Sequence, residues 1–251
     1  MKFDDAGFGN SNAQRCALSL RAARAGFVSS DTLDVIDAAM RSSKKARAGE
    51  EWMIGGQQAR DLHVVVSGWA TRVSTTRDGR RVITQFLLPG DVVGGEAFVL
   101  PGTLTALTDC EFATLTVEAQ RQMRDETPEA SAILDWSAST GRALMIDHIR
   151  SLSAFRAAQR VMHLLVTLWQ RLRETSDNMG NGFMLPLTQS QISETCGMSL
   201  VHTNKSIAKM RADGLLTIDG HRVSFPDPAA ALRYARWDDD VLTPFGEPKA
   251  A

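Results

Sequence analysis

PLTQSQISETCGMSLVHTNKSIAKMRADGLLTIDGHRVSF, residues 186–225, is the stretch whose reading decides the fold. Thr188 followed by Gln191 is a capping-box pair: the hydroxyl can accept from a backbone N–H while the Gln reaches back to the cap residue, so a helix begins there. Gly197 stops it, because glycine takes the left-handed conformation that ends helices, and Ser199 can cap a second helix two residues later. The segment therefore predicts helix, tight turn, helix.

In the second helix Thr203, Ile207 and Met210 share one face, with Leu215 beyond it, which leaves Val201, His202, Lys205 and Lys209 on the opposite face. A helix that carries its polar groups outward near its start can enter a major groove. There Lys205 can donate to guanine O6 and N7, Val201 can touch a thymine methyl, and His202 and Asn204 can read bases or phosphates. The plain alternative is a solvated His202 and ordinary exposed lysines. After the helix, LLTI and RVSF flank Asp219-Gly220-His221, a short hairpin that reads as a wing.

Working outward, SDNMGNG at 176–182 is a loop of Ser, Asp, Asn and Gly. Before it a long helical stretch runs to about Glu174, with Met145, Ile149 and Leu152, then Val161, Leu165, Leu168 and Leu172, at helical spacing. This apolar seam needs cover. Either it packs on its own sensor domain or it forms a two-stranded dimer interface, and its place between two domains favours the dimer. Val117 to Asp125 and Ala130 to Trp136 also read as helical.

From Trp52 to about Leu115 the period becomes that of strands: LHVVV, ATRVSTT, RVITQFLL, DVVG, TLTAL and CEFATLTV, with turn signals at Asp78-Gly79 and Pro89-Gly90. A small roll or barrel of antiparallel strands is expected. The expected fold class is α+β: an N-terminal antiparallel β-roll, a long dimerisation helix and a C-terminal winged helix-turn-helix. The domains are drawn at 1–130 (sensor, with an N-terminal helical segment), 131–175 (dimerisation helix), 176–237 (DNA-binding domain) and 238–251 (tail).

The chain has 251 residues, 43% hydrophobic and 23% charged, a composition of ordinary folded domains. The longest apolar runs, such as Ile83 to Leu88, fall short of the roughly 30 Å of hydrocarbon a spanning helix must cross, and the polar start MKFDDAGFGNSNAQR lacks a secretory apolar stretch. A cytoplasmic protein with no membrane association is expected. The net charge of −1 excludes a general polycation, so any DNA affinity is local. Around the reader, Lys205, Lys209, Arg211 and Arg222 are opposed by Glu194, Asp213 and Asp219. Affinity should therefore lean on a homodimer that presents two recognition helices about 34 Å apart to a palindromic site.

These three stretches resemble the Crp/Fnr family of bacterial transcription regulators along nearly the whole chain: LHVVVSGWATRVSTTRDGRRVITQFLLPGDVVG its sensor roll, SLSAFRAAQRVMHLLVTLWQRL the end of its dimer helix and the next helix, and LTQSQISETCGMSLVHTNKSIAKMRADGLL its DNA reader. The resemblance implies a cyclic-nucleotide-binding-like β-roll and promoter control through contact with RNA polymerase. It places Ser199, Leu200, Val201, His202, Asn204 and Lys205 in the recognition motif, and Thr188, Gln189 and Ser190 at phosphate-contacting positions.

Two departures bear on the effector. Members that bind cyclic AMP use a Gly-Glu pair followed by an Arg-Ser pair; Gly95-Glu96 imitates the first, but VLPGTLTALTDC has no arginine to neutralise a cyclic phosphate. Oxygen-sensing members hold an iron-sulfur cluster with four thiolates, which Cys16, Cys110 and Cys196 cannot supply. No cofactor is expected. The effector is left open, as is a redox role for Cys16, although a lone cysteine is more often inert.

The sequence also bears on two rival classes. A metal-dependent enzyme on the roll needs converging His and carboxylate ligands, but of the five histidines only His63 lies in the β-rich region, with His148 and His163 on the helices and His202 and His221 in the reader. A nucleotide-sensing regulatory module that binds a protein partner would keep the roll and discard the reader, which this chain retains.

Overall fold

The computed structural model describes residues 15–242 except 27, 41–42, 55–59, 96–101 and 177–178. Two short helices, α1 (Ala17–Ala25) and α2 (Ser30–Ala39), precede eight strands: β1 (Ser43–Ala46), β2 (Glu51–Met53), β3 (Leu62–Ser67), β4 (Ala70–Thr75), β5 (Arg81–Leu87), β6 (Val92–Gly94), β7 (Thr103–Ala106) and β8 (Cys110–Leu115). They form two antiparallel four-stranded sheets in the orders β1-β8-β3-β6 and β2-β7-β4-β5. This is the expected roll, with β1 starting before the first anticipated strand.

The β4–β5 hairpin forms where Asp78-Gly79 was read. Gly79 sits at φ +83°, a conformation only glycine takes freely, and the Thr76 backbone N–H donates to the Arg80 carbonyl at 2.9 Å. Between the sheets Val65, Leu87, Leu104 and Phe112 are buried, with Trp52 stacked on Phe112 at 3.8 Å between ring centres and His63 edge-on to the indole at 5.4 Å.

Beyond the roll come α3 (Val117–Glu126), α4 (Pro128–Ala154) and α5 (Ala157–Arg173). The anticipated helical stretch to Glu174 is thus two helices, broken at Phe155, whose extended backbone (φ −102°, ψ 149°) ends α4. No Pro or Gly makes the break. Phe155 is instead buried edge-on to the His163 ring at 5.2 Å, with the guanidinium groups of Arg150 and Arg236 over its ring at 5.9 and 5.5 Å.

The break divides the apolar seam. On α4, Met145, Ile146 and Ile149 are 38%, 69% and 60% exposed. On α5, Val161, Leu165 and Leu168 are fully buried and Leu172 packs beside them in one core with Ile192, Ile207, Met210 and Phe225. Each such side chain stabilises the fold by about 1.5–3 kcal/mol. The second half of the seam is therefore covered within the chain, by its C-terminal end together with Trp69, Ile83 and Phe86 of the roll.

That end comprises β9 (Gly182–Met184), α6 (Gln189–Thr195), α7 (Leu200–Ala212), β10 (Thr217–Asp219), β11 (Arg222–Ser224), α8 (Pro228–Ala235) and a 3₁₀ turn at Asp239–Val241. Its sheet runs β10-β11-β9. Among the described residues no helix is long and apolar enough to cross a membrane. Glu96 and the tail beyond Leu242 lie outside the described residues.

Candidate nucleic-acid interface

The local signals in residues 186–225 act as their chemistry dictates. Gln191 N–H donates to the Thr188 hydroxyl at 3.2 Å, and the Thr188 N–H donates to the Gln191 side-chain oxygen at 2.8 Å, closing the capping box of α6. Gly197 follows with φ +62°, and His202 N–H donates to Ser199 Oγ at 3.3 Å to start α7. The turn between the helices is thereby fixed by backbone and cap chemistry.

Burial divides α7 cleanly. Thr203, Ser206, Ile207 and Met210 face inward, and the last two join the core under α5. Val201, His202, Asn204, Lys205 and Lys209 are exposed, Val201 to 62%, and Leu200 beside it to 46%. Leu200 and Val201 thus set two adjacent large apolar side chains in solvent at the start of α7. Thr188, Gln189 and Ser190 are also exposed at the start of α6.

The wing closes antiparallel, Asp219 opposite Arg222, with Gly220 and His221 at its exposed tip. Charge on α7 is uneven. Lys209 Nζ lies 2.9 Å from Asp213 Oδ2, and this carboxylate pushes its pKa further up, whereas Lys205 has no ion pair among the described residues.

Of the seam residues expected at the dimer interface, Met145 and Ile149 are exposed on α4, while Leu152 is half-buried and faces Gly197 at the turn of the reader. Ile146, the most exposed large apolar side chain of α4, was missed. Its spacing of three from Ile149 was the available signal.

Also unread were the polar ties between domains. Arg171 of α5 donates to the Phe86 carbonyl at 3.0 Å and pairs with Asp91. Arg21 of α1 reaches Asp91 at 3.2 Å and Glu174 at 3.0 Å. Burial pushes the Glu174 carboxyl up despite both arginines. Trp69 of the roll stacks on Phe183 of β9 with centres 6.5 Å apart. Sensor and reader therefore share one packed boundary.

The three thiols are unpaired. Burial raises Cys16 and Cys110 to about 11 and Cys196 to about 12, which suppresses the reactive thiolate. Among the described residues no group of three His, Cys, Asp or Glu side chains converges to hold a metal.

Known proteins match the same parts. The family described as the cyclic nucleotide-binding domain matches residues 43–127, and the Crp-like helix-turn-helix domain matches residues 159–233, so the second match begins within α5. The chain is 29% identical over 208 residues to the transcriptional activator protein FnrL of Cereibacter sphaeroides, covering 77% of this chain and 80% of the relative. It is 24% identical over 181 residues to the nitrogen fixation regulation protein FixK of Azorhizobium caulinodans, covering 70% and 72%.

Among solved structures, FixK2 from Bradyrhizobium japonicum superposes with a TM-score of 0.68 at 20% identity, covering 77% of this chain and 96% of that one. A CRP-family regulator from Thermus thermophilus, TTHB099, gives 0.61 at 22% identity over 77% and 97%. With a nucleotide-binding-type roll, a Crp-like reader and these relatives, the chain belongs to the Crp/Fnr family of bacterial transcription regulators.

Proposed function

We propose that this regulator acts in the cytoplasm as a homodimer on a palindromic promoter site, under the control of its roll, with RNA polymerase as its protein partner. The observation that carries the reading is the outward face of α7, where Leu200, Val201, His202, Asn204, Lys205 and Lys209 are exposed on a helix whose other face is locked into the core. Lys205 and Asn204 offer hydrogen bonds to base edges, Val201 a contact for a thymine methyl, and Ser199, Thr188, Gln189 and Ser190 bonds to phosphates.

The exposed Met145, Ile146 and Ile149 of α4 supply the dimer seam. A chain of net charge −1 gains little from counterion release at large, so pairing two readers on two half-sites is the economical route to affinity. The domain limits 1–130, 131–175 and 176–237 would be redrawn on this reading so that α5 travels with the reader it packs against. The test is selection of genomic fragments by the purified chain at fixed salt against nonspecific competitor, repeated with a truncation lacking residues 180–251. Retention of sites by the truncation would contradict the reading.

A further inference from the structure

The first turn of α7 is fixed from two sides. Ser199 caps it, and Ile207 and Met210 anchor the same helix in the core. By helical period Val201 and Lys205 lie opposite that buried face, one turn apart, with Leu200 and Asn204 along one side and His202 and Lys209 along the other. Single apolar side chains on a protein surface are ordinary. The informative feature is the company this pair keeps.

No carboxylate occurs anywhere in α7, LVHTNKSIAKMRA, and Asp213 at its C-terminal cap holds Lys209. In the major groove the amino group of cytosine is a donor, which Glu or Asp accepts. Lys205 only donates, which suits guanine, and Asn204 suits adenine. What Val201 can engage is the C5-methyl of a pyrimidine, the apolar group on the major-groove edge. Its β-branched side chain holds one main rotamer in a helix, so little side-chain entropy is lost on contact. Leu200 beside it extends the apolar surface.

We infer that Leu200 and Val201 make α7 a methyl reader: one pyrimidine of each half-site is recognised by its C5-methyl group and not by a hydrogen bond. Thymine and 5-methylcytosine are then both accepted at that position, and uracil and cytosine are disfavoured. The two methylated bases differ at position 4, an acceptor in thymine and a donor in 5-methylcytosine, but Val and Leu side chains engage neither. The inference rests on the DNA-binding reading above and deepens it, since the group recognised is a methyl and not a base.

The test uses the full chain and duplexes of the sequence it selects from genomic DNA, with uracil replacing each thymine in turn. Uracil lacks only the methyl and keeps every hydrogen-bonding group. At one position per half-site affinity should fall about fourfold, the factor that burial of one methyl-sized group gives, and about fifteenfold with both half-sites changed. At the same position 5-methylcytosine·guanine should bind about fourfold tighter than cytosine·guanine. In Val201→Ala the uracil effect there should shrink to under about twofold, and in Leu200→Ala it should shrink in part. Both side chains are exposed, so the variants should melt with the wild type.

A uracil effect of the same size in the wild type and both variants would come from the deformability of the DNA and not from these side chains, and overturns the inference. So does 5-methylcytosine that binds no better than cytosine. A site bound with full sequence preference but with no methyl-sensitive pyrimidine overturns the methyl reader alone and leaves the regulator reading standing. Enrichment of no sequence overturns both.

Discussion

Lys209 Nζ lies 2.9 Å from Asp213 Oδ2 one turn further along α7, whereas Lys205, one turn earlier on the same outward face, meets no carboxylate among the described residues. The two lysines therefore differ in what they can give to DNA. Lys205→Ala should cost about 1–3 kcal/mol and relax base preference at one position per half-site. Lys209→Ala should cost less and weaken all sequences alike. Titration against the selected site and its point variants checks both, and an equal loss on every sequence for Lys205→Ala would remove it from base reading.

Ile146 and Ile149 stand in solvent three residues apart on α4, while Leu152 turns toward Gly197. Ile149→Glu should leave the monomer's melting temperature unchanged and abolish the dimer, because a carboxylate at a two-fold seam meets its own copy. Leu152→Ala should destabilise the fold with little effect on association. Sedimentation equilibrium with thermal melts separates these results, and a monomeric wild-type chain at tens of micromolar would refute the seam.

Gly197 holds φ +62° at the turn between α6 and α7. Gly197→Ala forces a side chain into the left-handed region, at a cost of about 1 kcal/mol or more. Met210→Ala, at a fully buried position under the recognition helix, should cost about 2–5 kcal/mol by leaving a cavity. Denaturant unfolding reads both. A cost well under 1 kcal/mol for Met210→Ala would mean the helix is not seated as described.

Much of the reader was legible because its instructions are local. Thr188 with Gln191, then Gly197 and Ser199, lie within a few residues of what they cap, and the inward Thr203, Ile207 and Met210 follow from helical period alone. The strands and the Asp78-Gly79 turn were legible for the same reason. The break at Phe155 was not, since the chain there carries no stopping residue and is bent by contacts with Arg150, His163 and Arg236. Nor were the ties of Arg171 to Asp91, 80 residues apart, or of His163 to Asp147. Such pairs are set by how finished elements meet, which periodicity does not encode. The exposed α7 face was anticipated; its engaged and free lysines became distinct only with Asp213 in place.

Asp147 carries a testable acid signature. Its folded carboxyl is held below the unfolded value of about 3.9, so its contribution is fully present above that value and is lost as pH falls through the lower folded pKa. The stability difference between wild type and Asp147→Asn should therefore be largest near neutrality and shrink toward about pH 2. Unfolding titrations across that range check the sign; a difference that grows on acidification would contradict it.

The most direct measurement is enrichment of the organism's own genomic fragments by the purified full chain, at stated salt and with excess nonspecific competitor. A two-fold symmetric sequence should emerge, with half-site centres about one helical turn apart, and Lys205→Ala should lose preference at one position in each half. Enrichment of no sequence, or of the same sequences by a chain ending before residue 180, would contradict the assignment of α7 as the element that reads DNA.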